Sequence, residues 1–222
     1  MPENQNDQSP QSKQPLGLSV VIQAGGESRR MGQDKALLPF LGKPMISRMI
    51  ARLAPIAGEM LVTTNDPEDY KFLDLPLFPD LTPGRGALGG LYTALSAASQ
   101  PLVAVVACDM PFINAGLLAL QRDLLIQAKA DIAIPHLESG LEPFHAVYRR
   151  LACLPHIEAA LQADKWRVDS WVSQVKTVRI PTEKILEWDP ELLSFLNVNT
   201  PEELQAAIEL ARTQNDARSG EI

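Results

Sequence analysis

The chain has 222 residues, 45% of them hydrophobic and 21% charged, with a formal net charge of −7. That is enough apolar material for one α/β domain with a full core, and a second domain is not required. The acidic balance excludes a general nucleic-acid or membrane-surface binder, which relies on an extended basic field, so an anionic ligand must meet a local basic patch.

Residues 1–17 are rich in Gln, Asn, Ser and Pro and lack the apolar core of a secretory signal, so they read as a disordered tail. A domain is expected over 18–213, with a short flexible tail at 214–222. Cys108 and Cys153 have no short spacing, which suggests neither a disulfide framework nor a CxxC metal site. A reducing cytoplasm is the simplest setting, and no apolar run approaches the roughly 20 residues that span a bilayer as a helix.

Leu18 to Gln23 is short, apolar and β-branched, and runs into Gly25-Gly26: a buried strand ending in a glycine loop. Met45, Ile46, Met49, Ile50 and Leu53 recur at helical spacing behind Pro44. Glu59 to Thr64 predicts a second strand, and Asp66-Pro67-Glu68-Asp69 carries helix-start signals. Leu75 to Phe78 is a weaker strand, followed by the loop Asp80 to Gly86 and an alanine-rich helix to about Ser99. Leu102 to Ala107 is a continuous apolar run, as a strand buried on both faces requires, and is expected at the sheet centre.

Asn114 suits the cap of a helix reaching about Ala128, before a strand at Asp131 to Ile134. Beyond Pro135 the alternation loosens. Strands are expected near Phe144–Tyr148 and Val175–Ile180, with helices from Leu151 to Ala163 and after Thr200. The order predicts a single three-layer α/β domain with a mostly parallel, Rossmann-like twisted sheet and helices on both faces.

In such sheets ligands bind at the carboxyl ends of the strands, and two unusual segments lie there. In Gly25-Gly26-Glu27-Ser28-Arg29-Arg30-Met31-Gly32-Gln33-Asp34-Lys35 the glycines let backbone N–H groups approach phosphate oxygens. Arg29, Arg30 and Lys35 outnumber Glu27 and Asp34. The string is neither a Walker loop nor a GxGxxG fingerprint. In Cys108-Asp109-Met110-Pro111-Phe112, Asp109 follows the central strand, where a carboxylate can hold Mg²⁺ shared with nucleotide phosphates.

These residues carry a resemblance. The glycine loop ending at Lys35, the segment Asp80 to Gly90, the Cys108–Phe112 turn, and Asn197-Val198-Asn199-Thr200-Pro201-Glu202-Glu203-Leu204 together resemble the molybdenum cofactor guanylyltransferases (MobA-like nucleotidyltransferases). These belong to the wider group with a GT-A-like fold. The resemblance spans roughly Leu18 to Ala211. It implies transfer of GMP from GTP to molybdenum-loaded molybdopterin, with release of pyrophosphate and dependence on Mg²⁺.

Carried over by motif, the resemblance implies that Gln23, Ala24, Gly25 and Gly26 meet the nucleotide and Lys35 its phosphates. Asn65 and Asp80 would complete the GTP site, Asp109 would bind Mg²⁺, and Arg29 would join Lys35 and Asp109 in catalysis. Asn197 and Asn199 approach the second substrate, and molybdenum-insertion and molybdoenzyme proteins are the implied protein partners. Gln23 stands where the family usually has leucine: harmless if only its backbone is used, consequential if its side chain shapes the base pocket. The alternatives are a relative using CTP or another phosphorylated acceptor, and a non-catalytic nucleotide-binding protein that delivers cofactor.

Four further features have two readings each. Arg85 could touch phosphate or be solvated. His145 could line a pterin or be structural. Trp166 and Trp171 could stack on a ligand or pack. Thr200, Pro201 and Glu203 form a capping box, leaving the asparagines before them for function.

Overall fold

The structure is a computed structural model that describes residues 17–24 and 34–219, with side chains described up to 213. The tail expected before Gly17, and Gly25, Gly26 and Arg29 of the glycine loop, lie outside the described residues. The chain opens on β1 (Leu18–Gln23) and a hairpin of two short strands, β2 (Pro39–Phe40) and β3 (Lys43–Pro44), then α1 (Met45–Leu53). Next come β4 (Glu59–Thr63), β5 (Leu77–Phe78), α2 (Gly86–Ala97), β6 (Leu102–Ala107) and α3 (Ala115–Ala128). The rest is β7 (Ile132–Leu137), β8 (Gly140–Leu141), β9 (His145–Arg149), α4 (Arg150–Gln162), β10 (Thr177–Pro181), α5 (Thr182–Leu186) and α6 (Pro201–Ser219).

The main sheet runs β10-β7-β9-β6-β1-β4-β5, with β8 paired to β7. Strands β6, β1, β4 and β5 are parallel in succession, so their carboxyl ends share one edge. The apolar run expected at the centre is there: β6 lies between β1 and β9. Alternation along both central strands feeds two cores. Val20, Ile22, Ala104 and Val106 face α1 and α3, whereas Val21, Val103 and Val105 face α2 and α4.

Where the sequence order loosens, the sheet changes direction. The strand β9 is antiparallel to both β6 and β7, and β10 returns parallel to β7. The helix expected after Asp66 is instead a 3₁₀ run, Pro67–Leu73. Asp66 does not cap it with its side chain, and Tyr70 alone is buried, too little apolar surface to hold an α-helical face against the core. A third apolar cluster joins Phe40 and Met45 to Phe112, Val198, Ala207 and Ala211. It seats α6 and the segment before it against the turn after β6.

His145 and Trp171, open to two readings from sequence, are both fully buried. The His145 Nδ1 pairs with Gln121 Nε2 at 3.0 Å, and the ring lies 5.0 Å from that of Phe195. Burial holds the imidazole pKa down at about 4, against 6.5 when free, despite the pull of Asp189 the other way. Between those values the unfolded chain binds the extra proton and the folded chain refuses it. Stability therefore falls as pH drops from 6.5 toward 4, by an amount on the order of 3 kcal/mol from this group. Urea unfolding across that window should show the loss, and His145→Gln should flatten it; an unchanged slope would place the titration elsewhere.

Candidate active site at the carboxyl edge of the sheet

The parallel pairing of β4, β1 and β6 sets the floor of the site. Cys108 N–H donates to the Gln23 carbonyl at 3.0 Å, and Ala24 N–H donates to the Thr63 carbonyl at 2.8 Å. Two backbone groups at the end of β1 are thus engaged by the neighbouring strands. The Cys108 thiol, raised well above its ordinary range by burial and by the Asp109 charge, stays protonated at neutral pH. It has no place as a nucleophile there.

Asp109 sits in the turn after β6. Its backbone carbonyl accepts from Val198 N–H at 2.9 Å, which fastens the Asn197–Asn199 segment to this turn. Its Oδ1 is buried and has no hydrogen-bond partner among the described residues. Burial raises the carboxyl pKa, and the Lys35 ammonium offsets part of that rise. A charged oxygen left without a donor in low dielectric is costly, and a cation is the partner that would relieve it.

Lys35 is held from both ends. At its backbone, Asp34 caps the 3₁₀ turn Lys35–Leu37, accepting Ala36 N–H at 3.0 Å, while its other oxygen accepts from the buried Tyr70 hydroxyl at 2.5 Å. At its tip, Lys35 Nζ donates to Asn199 Oδ1 at 2.8 Å. Asn199 is placed by the capping box: the Glu203 carboxylate accepts from Asn199 and Thr200 N–H at 2.6 and 3.1 Å, and Thr200 Oγ1 accepts Glu203 N–H at 3.2 Å. Between the two asparagines, Val198 is fully buried and anchors the segment.

Beyond β4, Asn65 and Asp80 grip one another. Asn65 Nδ2 donates to Asp80 Oδ2 at 3.0 Å, and Asp80 N–H donates to Asn65 Oδ1 at 3.0 Å. The buried Thr93 hydroxyl accepts Leu81 N–H and donates to Gly89 O, fixing the loop between β5 and α2. A Cβ at Gly89 would lie 2.8 Å from Arg85 Cβ and 3.0 Å from the Thr82 carbonyl, so only glycine lets that loop close on the helix.

Arg85 takes neither of its two expected roles. It donates to Asp164 and to the Leu161 and Lys165 carbonyls, and stacks over exposed Trp166 at 4.7 Å, bracing the loop against the end of α4.

The structure thus brings Gln23, Lys35, Asp109 and Asn199 together, sets Asn65 and Asp80 on the adjoining strand end, and leaves Asn197 exposed. Sequence reasoning missed the Tyr70–Asp34 contact, whose two partners lie 36 residues apart with no local signal joining them. A cleft of about 460 Å³ between the start of α3 and residues 188–194 contains none of these site residues. Among the described residues no group of three or more His, Cys, Asp or Glu could cage a metal. A cation here would be shared with its ligand, as Mg²⁺ is with nucleotide phosphates.

The sequence matches the description "MobA-like NTP transferase domain" over residues 20–178. A probable molybdenum cofactor guanylyltransferase of Peptoclostridium acidaminophilum is 35% identical, covering 94% of this chain and 96% of its own. A molybdenum cofactor guanylyltransferase of Desulfosudis oleivorans is 33% identical, with 86% and 94% covered. Among solved structures, molybdopterin-guanine dinucleotide biosynthesis protein A of Archaeoglobus fulgidus superposes with a TM-score of 0.76 at 27% identity, covering 88% and 99%. A cytidylyltransferase of Thermus thermophilus, acting on 2-C-methyl-D-erythritol 4-phosphate, shares the fold at a TM-score of 0.62 and 20% identity, covering 86% and 98%.

The raised Asp109 pKa gives a stability test. A carboxyl whose folded pKa is raised adds stability below its ordinary value of 3.8 and loses it as pH rises through the folded value, so ionised Asp109 burdens the free protein at neutral pH. Asp109→Asn should therefore melt higher than the parent at pH 7, with the gain vanishing below 3.8. A lower melting temperature at pH 7 would contradict the environment described.

Proposed function

Because the chain belongs to the MobA-like NTP transferase family, we propose that it transfers GMP from GTP to molybdenum-loaded molybdopterin, giving the guanine dinucleotide cofactor and pyrophosphate. The observation that carries this reading is the joining of Lys35, Asn199 and Asp109 at the carboxyl edge of the central strands. The pterin phosphate oxygen attacks the α-phosphorus of GTP. One P–O bond forms as the bond to the β-phosphate oxygen breaks, and pyrophosphate carries away the electron pair.

The chain's contribution is positioning and charge. Lys35, its ammonium steered by Asn199, meets the phosphates. Gly25, Gly26 and Arg29 complete the phosphate cradle, an assignment that rests on their motif. Ala24 and Gln23 form the inner wall, and the Asn65–Asp80 pair borders the nucleoside side. Asn197 and Asn199 face the second substrate. Among the described residues both cysteine thiols stay protonated, Cys153 being pushed up to about 12 by burial, which suits direct transfer without a protein nucleophile.

Asp109 fits Mg²⁺: a single unpaired buried oxygen beside the phosphate-facing lysine. Bound there, Mg²⁺ supplies positive charge that neutralises the triphosphate. Molybdenum-insertion proteins and molybdoenzymes are the expected upstream and downstream partners, and no helix among the described residues is long and apolar enough to cross a membrane.

Pyrophosphate release with GTP, Mg²⁺ and molybdenum-loaded molybdopterin tests the reading. Lys35→Ala and Asp109→Ala should each lower kcat/KM by about a hundredfold or more, and undiminished turnover in both would remove the site assignment. Asn199→Ala keeps the ammonium and loses only its guide, so a smaller loss of about tenfold is expected. Turnover with CTP in place of GTP would select the cytidylyl alternative.

A further inference from the structure

The cleft of about 460 Å³ that holds none of the transfer residues is walled by α1, the start of α3, residues 188–194 and Ala211 of α6. Two of its lining side chains carry buried donors without acceptors. Ser194 is 1% exposed, and its hydroxyl has no hydrogen-bond partner among the described residues. Arg48, on the α1 wall, has a buried Nε in the same condition, while its guanidinium sits 5.7 Å over the Phe40 ring. One turn on, Arg52 lies over Phe112 and gives Nη1 to the Pro111 carbonyl at 3.1 Å.

The carboxylates of the cleft do not claim these donors. Asp189 spends both oxygens inside its own loop, accepting Leu193 N–H at 3.0 Å and Ser194 N–H at 2.7 Å. Ser194 is thereby fixed through its backbone and keeps its hydroxyl to offer. Glu191 is exposed and can turn to water. At the start of α3, Asn114 Oδ1 accepts Leu117 N–H, and helix geometry leaves the N–H groups of Ala115 and Gly116, both on the cleft wall, without an intrahelical acceptor. Asn114 Nδ2 also donates to the Trp188 carbonyl at 3.0 Å. A Cβ at Gly116 would fall 3.2 Å from Trp188 Cε3, so glycine lets the half-exposed indole lie against the helix start.

We propose that this cleft binds a small phosphorylated anion, seated between Arg48, Ser194 and the first turn of α3. The arginines supply charge, the helix start adds its partial positive charge, and the unmade buried hydroxyl requires an acceptor. Donors arrive from three walls, which suits the tetrahedrally arranged oxygens of a phosphoryl group better than the two coplanar oxygens of a carboxylate. The exposed face of Trp188 leaves an apolar surface beside them, so a phosphomonoester fits as well as the free ion. The site is separate from Lys35 and Asp109 and does not depend on the guanylyl-transfer reading.

Isothermal titration of inorganic phosphate and of phenyl phosphate into the full-length chain carrying Lys35→Ala, which removes the ammonium of the transfer site, tests this. Binding tighter than about 1 mM is expected, weakened about tenfold or more when Arg48→Gln or Ser194→Ala is added. Ser194→Ala removes an unmade donor and should melt at or above the temperature of the chain it is built on, so its weaker binding reads the site rather than the fold. Binding of inorganic phosphate alone assigns the free ion. Tighter binding of phenyl phosphate, with a change in indole emission that Trp188→Phe abolishes, assigns an ester. No binding of either probe, binding untouched by both substitutions, or acetate bound as tightly as phosphate overturns the proposal.

Discussion

An ionised carboxylate in a half-buried place must be compensated, and Asp109 is compensated only in part. Among the described residues its Oδ1 has no donor, burial works against its charge, and the Lys35 ammonium opposes that burial. Much of the surrounding structure keeps that lysine where it is. Tyr70 and Asp34 fix its backbone turn, Asn199 holds its tip, and Glu203 and Val198 hold Asn199. The last helix therefore does more than cover the core: its capping box and buried valine tie residues some 160 positions apart into one charged pocket, the Lys35–Asn199 bond spanning 164.

The scaffold beneath that pocket follows from simple rules. Strands buried on both faces place their ends on a common edge, and the hydrogen bonds that close the edge, Cys108 to Gln23 and Ala24 to Thr63, leave side chains rather than ladder groups to meet ligands. The loop before α2 is fixed in turn by Thr93 and by the Arg85 brace to α4. Asn65 and Asp80 are presented as a pair because each satisfies the other, which removes their rotational freedom before a ligand arrives.

Much of this was legible in the residues. The apolar run of β6, the helical spacing of α1, the Asn114 cap and the Thr200–Glu203 box are local signals, and local structure honours them. The antiparallel course of β9 was not legible, because orientation is chosen by tertiary pairing and its residues alternate as they would either way. Asp66 misled because cap residues promise a helix only where an apolar face follows, and Tyr70 is the sole buried residue there. Arg85 and the Asp34–Tyr70 contact depend on partners far along the chain, which spacing cannot reveal. The substrate identities came from the motif ensemble, since glycine and lysine spacing speaks only of phosphate.

The central claim is that Asp109 is the charge through which a divalent cation and GTP meet this protein. Calorimetric titration of GTP into the full-length chain and into Asp109→Asn, each with and without Mg²⁺, tests it most directly. The account predicts that Mg²⁺ tightens GTP binding by the parent and has no such effect on the variant. Equal Mg²⁺ dependence in both would contradict it.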